Sequence, residues 1–158
     1  MRSYLVGAAL CALALPAVAI AKGAVSASVA GPGLAHALVI KGDGEGPGTA
    51  LGTLSDASGF FAQMFRQTPD PTLAARPSGT LGLRYTAVYI VPGPNDIRSR
   101  VIQYIYPYAK PVALTYLRPG QKFWNGKKAH GGWNRASPGL KRVLVRAGLP
   151  AKAPLVTG

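Results

Sequence analysis

Acidic residues and thiols are scarce in this sequence. Its 158 residues include 5 Asp and Glu against 18 Lys and Arg, a formal net charge of +13, and a single cysteine. Disulfide scaffolds, cysteine zinc sites and multi-carboxylate calcium sites all need more of these groups. Hydrophobic residues still make up 48%, too many for an intrinsically disordered polycation. We therefore expect one packed domain, because a chain of this length buries about two-thirds of its unfolded surface.

The N-terminus has the layout of a secretory signal peptide. Arg2 is the only charge before the uncharged run of residues 4–21, which contains Pro16 and ends in Ala-Ile-Ala before Lys22. A positive start, an apolar centre and an A-x-A site predict cleavage after residue 21. The alternative is an uncleaved anchor, because about 18 apolar residues is the lower limit for spanning a bilayer.

The single cysteine, Cys11, lies inside this apolar run. A lipobox needs a small residue just before its cysteine, and Leu10 occupies that place, so we do not expect a lipoprotein. Cleavage would leave a mature chain with no thiol and no membrane span. The predicted organisation is a signal peptide at residues 1–21, a single domain at 22–150 and a flexible tail at 151–158, in a secreted or envelope-associated protein.

Charge is distributed unevenly along the rest of the chain. Residues 22–96 contain five basic residues and all five acidic ones, whereas residues 97–158 contain twelve basic residues and no acid. One face or end of the folded domain should therefore be strongly positive.

The apolar pattern predicts an α+β fold with a small antiparallel sheet of about four strands and two helices. Stretches rich in β-branched and aromatic residues predict strands at residues 38–41, 81–91, 97–106 and 112–117. The second and third should form a hairpin, and the fourth should pair with residues 122–124. Helices are predicted at 55–66, capped by Ser55 or Ser58, and at 138–147, capped by Ser137 and buried along Leu140, Val143, Leu144 and Ala147.

The segment of residues 122–135 (KFWNGKKAHGGWNR) places two tryptophans among four cations in a Gly-rich stretch. Cations and flat rings can hold a polyanion while stacking on its sugars or bases. The alternative is a solvated loop whose tryptophans cover the sheet. With two cations of the last helix, the predicted polyanion-binding residues are Lys122, Trp124, Lys127, Lys128, Trp133, Arg135, Lys141 and Arg142.

The partners that this pattern favours are anionic cell-envelope polymers or nucleic acid, bound through charge by a non-enzymatic protein. Tyr104, Tyr106 and Tyr108 support a second hypothesis, because alternate residues share one face of a strand. They could serve a protein-interaction module of a secreted or membrane complex that works by strand addition at a Tyr-rich sheet edge. Ordinary packing is the simpler explanation of these tyrosines.

No catalytic, metal or cofactor motif is present. Asp43 and Glu45 lack the further ligands of a calcium loop, and nothing around them suggests a glycosidase pocket. The chain has no G-x-S-x-G, P-loop or dinucleotide fingerprint. His36 and His130 leave a third hypothesis, a small secreted phosphodiesterase, although His36 is expected to be partly buried in its apolar run. We predict no enzyme, no metal and no cofactor.

Three segments resemble a known group of proteins: residues 31–44 (GPGLAHALVIKGDG), 59–94 (GFFAQMFRQTPDPTLAARPSGTLGLRYTAVYIVPGP) and 131–151 (GGWNRASPGLKRVLVRAGLPA). They are similar to small secreted proteins of high-GC actinomycetes, which share a GPGL start, a phenylalanine-rich helix ending in TPDP, an LGxRYT strand, a YPYA stretch and a Gly-Gly-Trp before a capped C-terminal helix. The resemblance covers most of the mature chain. It implies export and a single structural unit, and it implies no activity and no catalytic residues.

Overall fold

The structure is a computed structural model that describes residues 23–42 and 48–155, and its fold class is α+β, as predicted. Within these ranges the strands are Ser26–Ala30 (β1), Leu38–Lys41 (β2), Tyr85–Pro92 (β3), Arg98–Tyr106 (β4), Leu114–Leu117 (β5), Lys122–Phe123 (β6), Lys127–Lys128 (β7) and Gly132–Arg135 (β8). The helices are Ala50–Ser58 (α1), Phe60–Met64 (α2) and Gly139–Arg146 (α3).

Six of the described strands form one antiparallel sheet in the order β2-β1-β3-β4-β5-β8. The expected number of about four was too low. β1 (SASVA) and β8 (GWNR) contain few large β-branched residues, so neither predicts a strand on its own. β1 is a strand because its backbone pairs with β2 on one side and β3 on the other, while Ala27 and Val29 are buried. Tertiary pairing outweighs weak local propensity there.

The β3–β4 hairpin forms the centre of the sheet and confirms the strongest strand prediction. Eight residue pairs join the two strands in one register. Asn95 and Asp96 both have φ 57° in the connecting turn, a region that these residue types tolerate better than most. Along β3, every second side chain is buried and those between are half-buried. This alternation gives the sheet an inner and an outer face.

The fourth predicted strand pairs differently from the expectation. β5 lies between β4 and β8, whereas β6 pairs with β7 in a separate two-stranded hairpin. After β5 the chain does not return along that strand, and Gln121 lies against the edge of β4. Its side-chain amide donates to the Ile102 carbonyl at 2.7 Å and accepts from the Ile102 amide at 2.9 Å. One side chain thus takes the place of a neighbouring strand.

The single helix predicted at residues 55–66 is two short helices that meet at Gly59. The Thr49 hydroxyl accepts a hydrogen bond from the Gly52 amide at 3.0 Å, so α1 begins earlier than expected. The predicted caps, Ser55 and Ser58, are buried within α1. Gly59 has φ 69°, the left-handed conformation that ends a helix.

The C-terminal helix, α3, is one residue shorter at each end than the predicted range of residues 138–147. The Ser137 hydroxyl accepts a hydrogen bond from the Gly139 amide at 3.3 Å and satisfies one of the free amides at the helix start. The predicted buried stripe is correct except at Ala147, which is exposed. The exposure follows from the end of the helix at that residue, just before Gly148 with φ 119°.

The helices and the inner face of the sheet share one hydrophobic core. The Phe60 ring stacks on Tyr89 with centroids 3.9 Å apart. Phe123 and half-buried Trp124 of the β6–β7 hairpin add to the same core. Most of the large buried side chains therefore lie on the inner face, with those of the three described helices. Tyr106 and Leu114 form a smaller buried cluster on the outer face.

A buried hydrogen-bond network lies in this core at the junction of α1 and α2. The Ser58 carbonyl accepts from Thr115 Oγ1 at 2.7 Å, from Asn134 Nδ2 at 3.1 Å and from Gln103 Nε2 at 3.2 Å. Because α1 ends at Gly59, this carbonyl has no helical donor, and side chains of three strands supply one instead. The network fixes the helix break to β4, β5 and β8.

The segment after α3 contacts the rest of the domain at Pro150 and Pro154. Tyr108 donates a hydrogen bond to the Pro150 carbonyl, and Pro154 lies against Gly33. The signal peptide with Cys11, the pair Asp43 and Glu45, and the last three residues of the predicted tail lie outside the described residues, and those predictions stand untested. In the part of the chain that is described, no helix has the length and apolarity needed to cross a membrane.

Candidate functional site

The outer face of the sheet carries a row of aromatic side chains. The outer face contains Thr86, Val88 and Ile90 of β3 and their cross-strand neighbours. Tyr104 on β4 is the direct partner of Tyr116 on β5, and Tyr116 is the direct partner of Trp133 on β8. All three rings are half-buried. We call Tyr104, Tyr116 and Trp133 the aromatic row.

The aromatic row is held in place by its packing. The rings of Tyr116 and Trp133 lie 4.8 Å apart at their centroids, and Tyr106 lies 5.7 Å from Trp133. Tyr106 and Leu114 are buried on the same face, directly beside the row. Burial raises the pKa of the Tyr106 hydroxyl, and the nearby Arg84 partly opposes the shift. The outer sides of the three rings thus form a rigid surface on a fixed support.

Arginines lie at the aromatic row and farther along the same face, where Arg100 and Arg98 are about 13 and 20 Å from Tyr104 along β4. The Arg84 guanidinium carbon lies 4.8 Å above the centroid of the Tyr104 ring. Arg135 is two residues after Trp133 on β8, and therefore on the same face. Arg98 and Arg100 occupy outward positions of β4, and both are exposed. None of the described strands contains an acidic residue.

This arrangement can bind a ligand that has flat rings or sugars next to negative charges. Aromatic faces stack on bases and sugar rings, and guanidinium groups form paired hydrogen bonds to phosphate or carboxylate. Exposed apolar side chains extend the surface, with Ile102 at 38% and Val39 at 60% exposed. We call the aromatic row with Arg84, Arg98, Arg100 and Arg135 the outer-face site.

The structure separates seven of the eight predicted polyanion-binding residues, all except Trp124, into three places. Trp133 and Arg135 lie in the outer-face site on β8, and Lys141 and Arg142 lie on α3. Lys122, Lys127 and Lys128 are exposed on the β6–β7 hairpin. The sequence segment that suggested one site therefore contributes to different sides of the domain.

Trp124 packs within the domain and does not form an open binding surface. Its indole N–H donates to the Pro92 carbonyl at 2.9 Å, and its backbone amide donates to the Ser99 hydroxyl at 2.8 Å. Its ring packs against Phe65 and Phe123. Trp124 thus covers the core, as the alternative interpretation expected, whereas Trp133 lies in the aromatic row.

His130 belongs to a small polar cluster beside the β6–β7 hairpin. Its Nε2 lies 2.7 Å from Asp70 Oδ2 and 3.1 Å from the Thr72 hydroxyl. Hydrogen bonds from the Thr72 hydroxyl and amide are the main reason that the pKa of Asp70 is lowered to about 2. A relay of the catalytic-triad type needs the carboxylate and the hydroxyl on different ring nitrogens. Here both contact the same nitrogen, so the cluster ties two loops together.

An open pocket of about 460 Å³ lies next to this cluster. Arg66, Lys127, Lys128 and His130 contribute to its lining, together with Phe65. The Lys127 ammonium lies 5.2 Å from the Trp124 ring centroid. The pocket gathers cations, but its rings are turned toward the core, which makes it a weaker platform than the outer-face site.

His36 and His130 do not share a cleft. His36 is exposed in the connection between β1 and β2, which corrects the expectation that it is partly buried. His130 lies just before β8, at the opposite edge of the sheet. Four strand spacings separate β1 from β8, or roughly 19 Å. Two groups so far apart cannot act together on one phosphodiester.

The three clustered tyrosines do not form a sheet edge. Tyr104 and Tyr106 lie on β4, which is flanked by β3 and β5, so their strand is not free to pair with a partner. Tyr108 follows the strand and packs against Tyr85, with centroids 6.1 Å apart, on the inner side. The platform that was expected on one strand is instead built across three.

Sequence reasoning missed four residues of the outer-face site: Arg84, Arg98, Arg100 and Tyr116. The alternation in RSRVIQYIY places Arg98, Arg100, Ile102 and Tyr104 on one face, a signal available once the strand was predicted. The pairing of Tyr116 with Tyr104 and the contact of Arg84 with the Tyr104 ring join residues that are distant in sequence, so only the fold shows them.

Among the described residues no group of His, Cys, Asp and Glu side chains could hold a metal ion. No protein-family profile, characterised protein or solved structure matches this chain.

Proposed function

We propose that the protein is an exported, non-enzymatic binding protein whose outer-face site holds an anionic polymer of the cell envelope. The observation that carries this proposal is a rigid aromatic row flanked by arginines on a face that no described helix covers. Export is supported by the signal-peptide layout of the N-terminus and by the resemblance to small secreted proteins of high-GC actinomycetes.

The dimensions of the outer-face site favour an extended ligand. From Arg98 to Tyr106, β4 spans about 27 Å, and the aromatic row crosses three strands over about 10 Å. Along this track Arg98, Arg100 and Ile102 are exposed, and the rings of the aromatic row are half-buried. A polymer that alternates sugar or polyol units with phosphates can place its rings on the aromatic row and its charges on the arginines.

The charge of the outer-face site predicts a definite salt dependence. If Arg84, Arg100 and Arg135 each neutralise one phosphate of a flexible polyanion, the logarithm of the association constant falls with the logarithm of salt concentration with a slope of about −2. The twelve basic residues of residues 97–158 would give a much steeper slope if binding followed total charge. The slope therefore reports how many cations take part.

The experiment measures binding of the full chain to poly(glycerol phosphate) that carries sugar substituents, by titration calorimetry at several salt concentrations. Arg100→Gln with Arg135→Gln should weaken binding about tenfold and reduce the slope to about −1. The matched control removes the same charge from α3, with Arg142→Gln and Arg146→Gln, and should change affinity by less than about twofold. Equal weakening in both pairs would mean that binding follows net charge, and would refute the outer-face site.

The aromatic contribution is tested at Trp133. Trp133→Phe keeps a stacking ring, whereas Trp133→Leu removes it and should weaken binding about tenfold. Circular dichroism and thermal melting establish that both variants fold. If Trp133→Leu binds as tightly as Trp133→Phe, stacking plays no part. A single-stranded oligonucleotide that binds more tightly than the poly(glycerol phosphate) would identify nucleic acid as the ligand instead.

A further inference from the structure

A second surface feature lies away from the aromatic row, in the groove between the β4–β5 connection, the start of α3 and the segment after α3. This groove is open and has a volume of about 560 Å³, within the range of small-molecule sites. We call it the lysine groove. Its walls are mainly apolar and include Pro107, Ala109, Val112 and Ala113. Val112 is 41% exposed, although it is a large apolar residue.

The charged residues that line the lysine groove are all cations. They are Lys110, Lys141 and Lys152, one from each of the three chain segments that form the walls. No acidic residue lines it. Within the described ranges the one ion pair joins His130 to Asp70, so none of these three ammonium groups is neutralised by a described carboxylate. Three segments far apart in sequence thus bring unpaired positive charge to one apolar groove.

Lys141 is held in position at the groove. Its ammonium lies 5.1 Å from the centroid of the Tyr108 ring, and the Tyr108 hydroxyl is fixed by its hydrogen bond to the Pro150 carbonyl. Lys141 also lies in the first turn of α3, which has no acidic residue. A cation at the positive end of a helix dipole is unfavourable. Nothing in the fold requires this repulsion, and a bound anion would relieve it.

We propose that the lysine groove binds an amphiphilic anion, a molecule with one phosphate or carboxylate head and an apolar chain. The head lies among Lys110, Lys141 and Lys152, and the chain lies along the wall of Pro111, Val112 and Ala113. Charge complementarity selects the head, and the exposed apolar wall selects the chain. The proposal is independent of polymer binding on the outer-face site, because it uses different residues.

The test is a titration of the isotope-labelled full chain with dodecyl phosphate, below its micelle concentration, followed by amide chemical shifts. Shifts should be confined to the groove, at Tyr108, Lys110, Val112 and residues 151–153. The triple variant Lys110→Gln, Lys141→Gln and Lys152→Gln should bind about tenfold more weakly or worse. The matched control, with the same charge removed from the β6–β7 hairpin, is Lys122→Gln, Lys127→Gln and Lys128→Gln, and it should bind as the wild type does.

Further ligands separate the two halves of the proposal. Dodecanoate should bind in the same groove, and the difference between the two heads identifies phosphate or carboxylate as the preferred anion. Inorganic phosphate alone, and neutral dodecyl maltoside alone, should each bind at least about tenfold more weakly than dodecyl phosphate. If inorganic phosphate or dodecyl maltoside binds as tightly as dodecyl phosphate, the proposal of an amphiphilic ligand is refuted, because the groove is then a simple anion site or a simple apolar site.

A second variant guards against misfolding of the triple variant. Val112→Glu changes an exposed residue and places a carboxylate at the apolar wall, so it should weaken dodecyl phosphate binding while the remaining amide shifts stay native. Shifts spread over the whole protein, or equal weakening in the hairpin control, would show non-specific adsorption and refute the lysine groove. Groove variants should leave polymer binding at the outer-face site unchanged.

Discussion

Replacing Gly59 with alanine tests whether the break between α1 and α2 is required by the fold. Gly59 has φ 69°, and an L-residue in this left-handed region costs about 1–2 kcal/mol. A methyl group there would also lie 2.2 Å from Asn134 Nδ2. Because that distance is far too short for any contact, the Asn134 side chain must move away.

Moving Asn134 carries a second cost. Its Nδ2 donates to the buried Ser58 carbonyl at 3.1 Å, and loss of a buried hydrogen bond costs about 1–3 kcal/mol. The lower part of that range applies, because Thr115 and Gln103 still donate to the same carbonyl. The two costs together predict that Gly59→Ala lowers the free energy of unfolding by about 2–4 kcal/mol. For a chain of this size the melting temperature should fall by about 5–15 °C.

The assay is equilibrium unfolding in urea with a double-mutant cycle. Asn134→Ala removes the group that the new methyl would contact, so Gly59→Ala should cost only about 1–2 kcal/mol in that background. The remaining difference measures the coupling between the two positions. A Gly59→Ala variant within about 0.5 kcal/mol of the wild type would refute the reasoning. A full cost that persists without the Asn134 side chain would show that the clash plays no part.

Three further predictions concern the support of the sheet and its loops. Thr115→Val keeps the side-chain volume but removes a donor to the Ser58 carbonyl, so it should lower the free energy of unfolding in urea by about 1–2 kcal/mol. An unchanged free energy of unfolding would contradict a role for that hydrogen bond. Gln121→Leu removes both hydrogen bonds to the Ile102 backbone; amide exchange at Ile102 should accelerate, and unchanged exchange would contradict the bridging role. Because the pKa of Asp70 is lowered to about 2, its contribution to stability is present above about pH 4 and lost as the pH falls toward 2. Asp70→Asn should therefore flatten the pH dependence of the urea midpoint in that window, and an unchanged slope there would refute the assignment.

Several parts of the fold could be predicted because their signals are local. The β3–β4 hairpin has dense β-branched and aromatic residues around a turn, and α3 has a serine cap and a glycine stop. β1 and β8 escaped prediction because small or polar residues form strands there only when neighbouring strands pair with them. The helix break at Gly59 escaped for a related reason. The Ser58 carbonyl at this break accepts hydrogen bonds from the side chains of Gln103, Thr115 and Asn134, which are distant in sequence.

The candidate site was predicted in part. Trp133 and Arg135 belong to the outer-face site, but the other tryptophan of the same segment, Trp124, covers the core. In a glycine-rich segment the chain turns several times, so residues close in sequence can point to different sides of the domain. Strand alternation is the exception, because a period of two holds without knowledge of the turns. It alone would have placed Arg98, Arg100 and Tyr104 on one face.

The sequence by itself determined the composition-level properties of this protein. An excess of cations, the absence of acids after residue 96 and the α+β pattern all follow from the order of residues, because they depend on counts and local periodicity. Only the tertiary structure decided where the rings and the cations meet. Cross-strand pairing placed Tyr104, Tyr116 and Trp133 in one row, and chain folding gathered Lys110, Lys141 and Lys152 around one groove. Such contacts join residues far apart along the chain, so no local pattern can specify them.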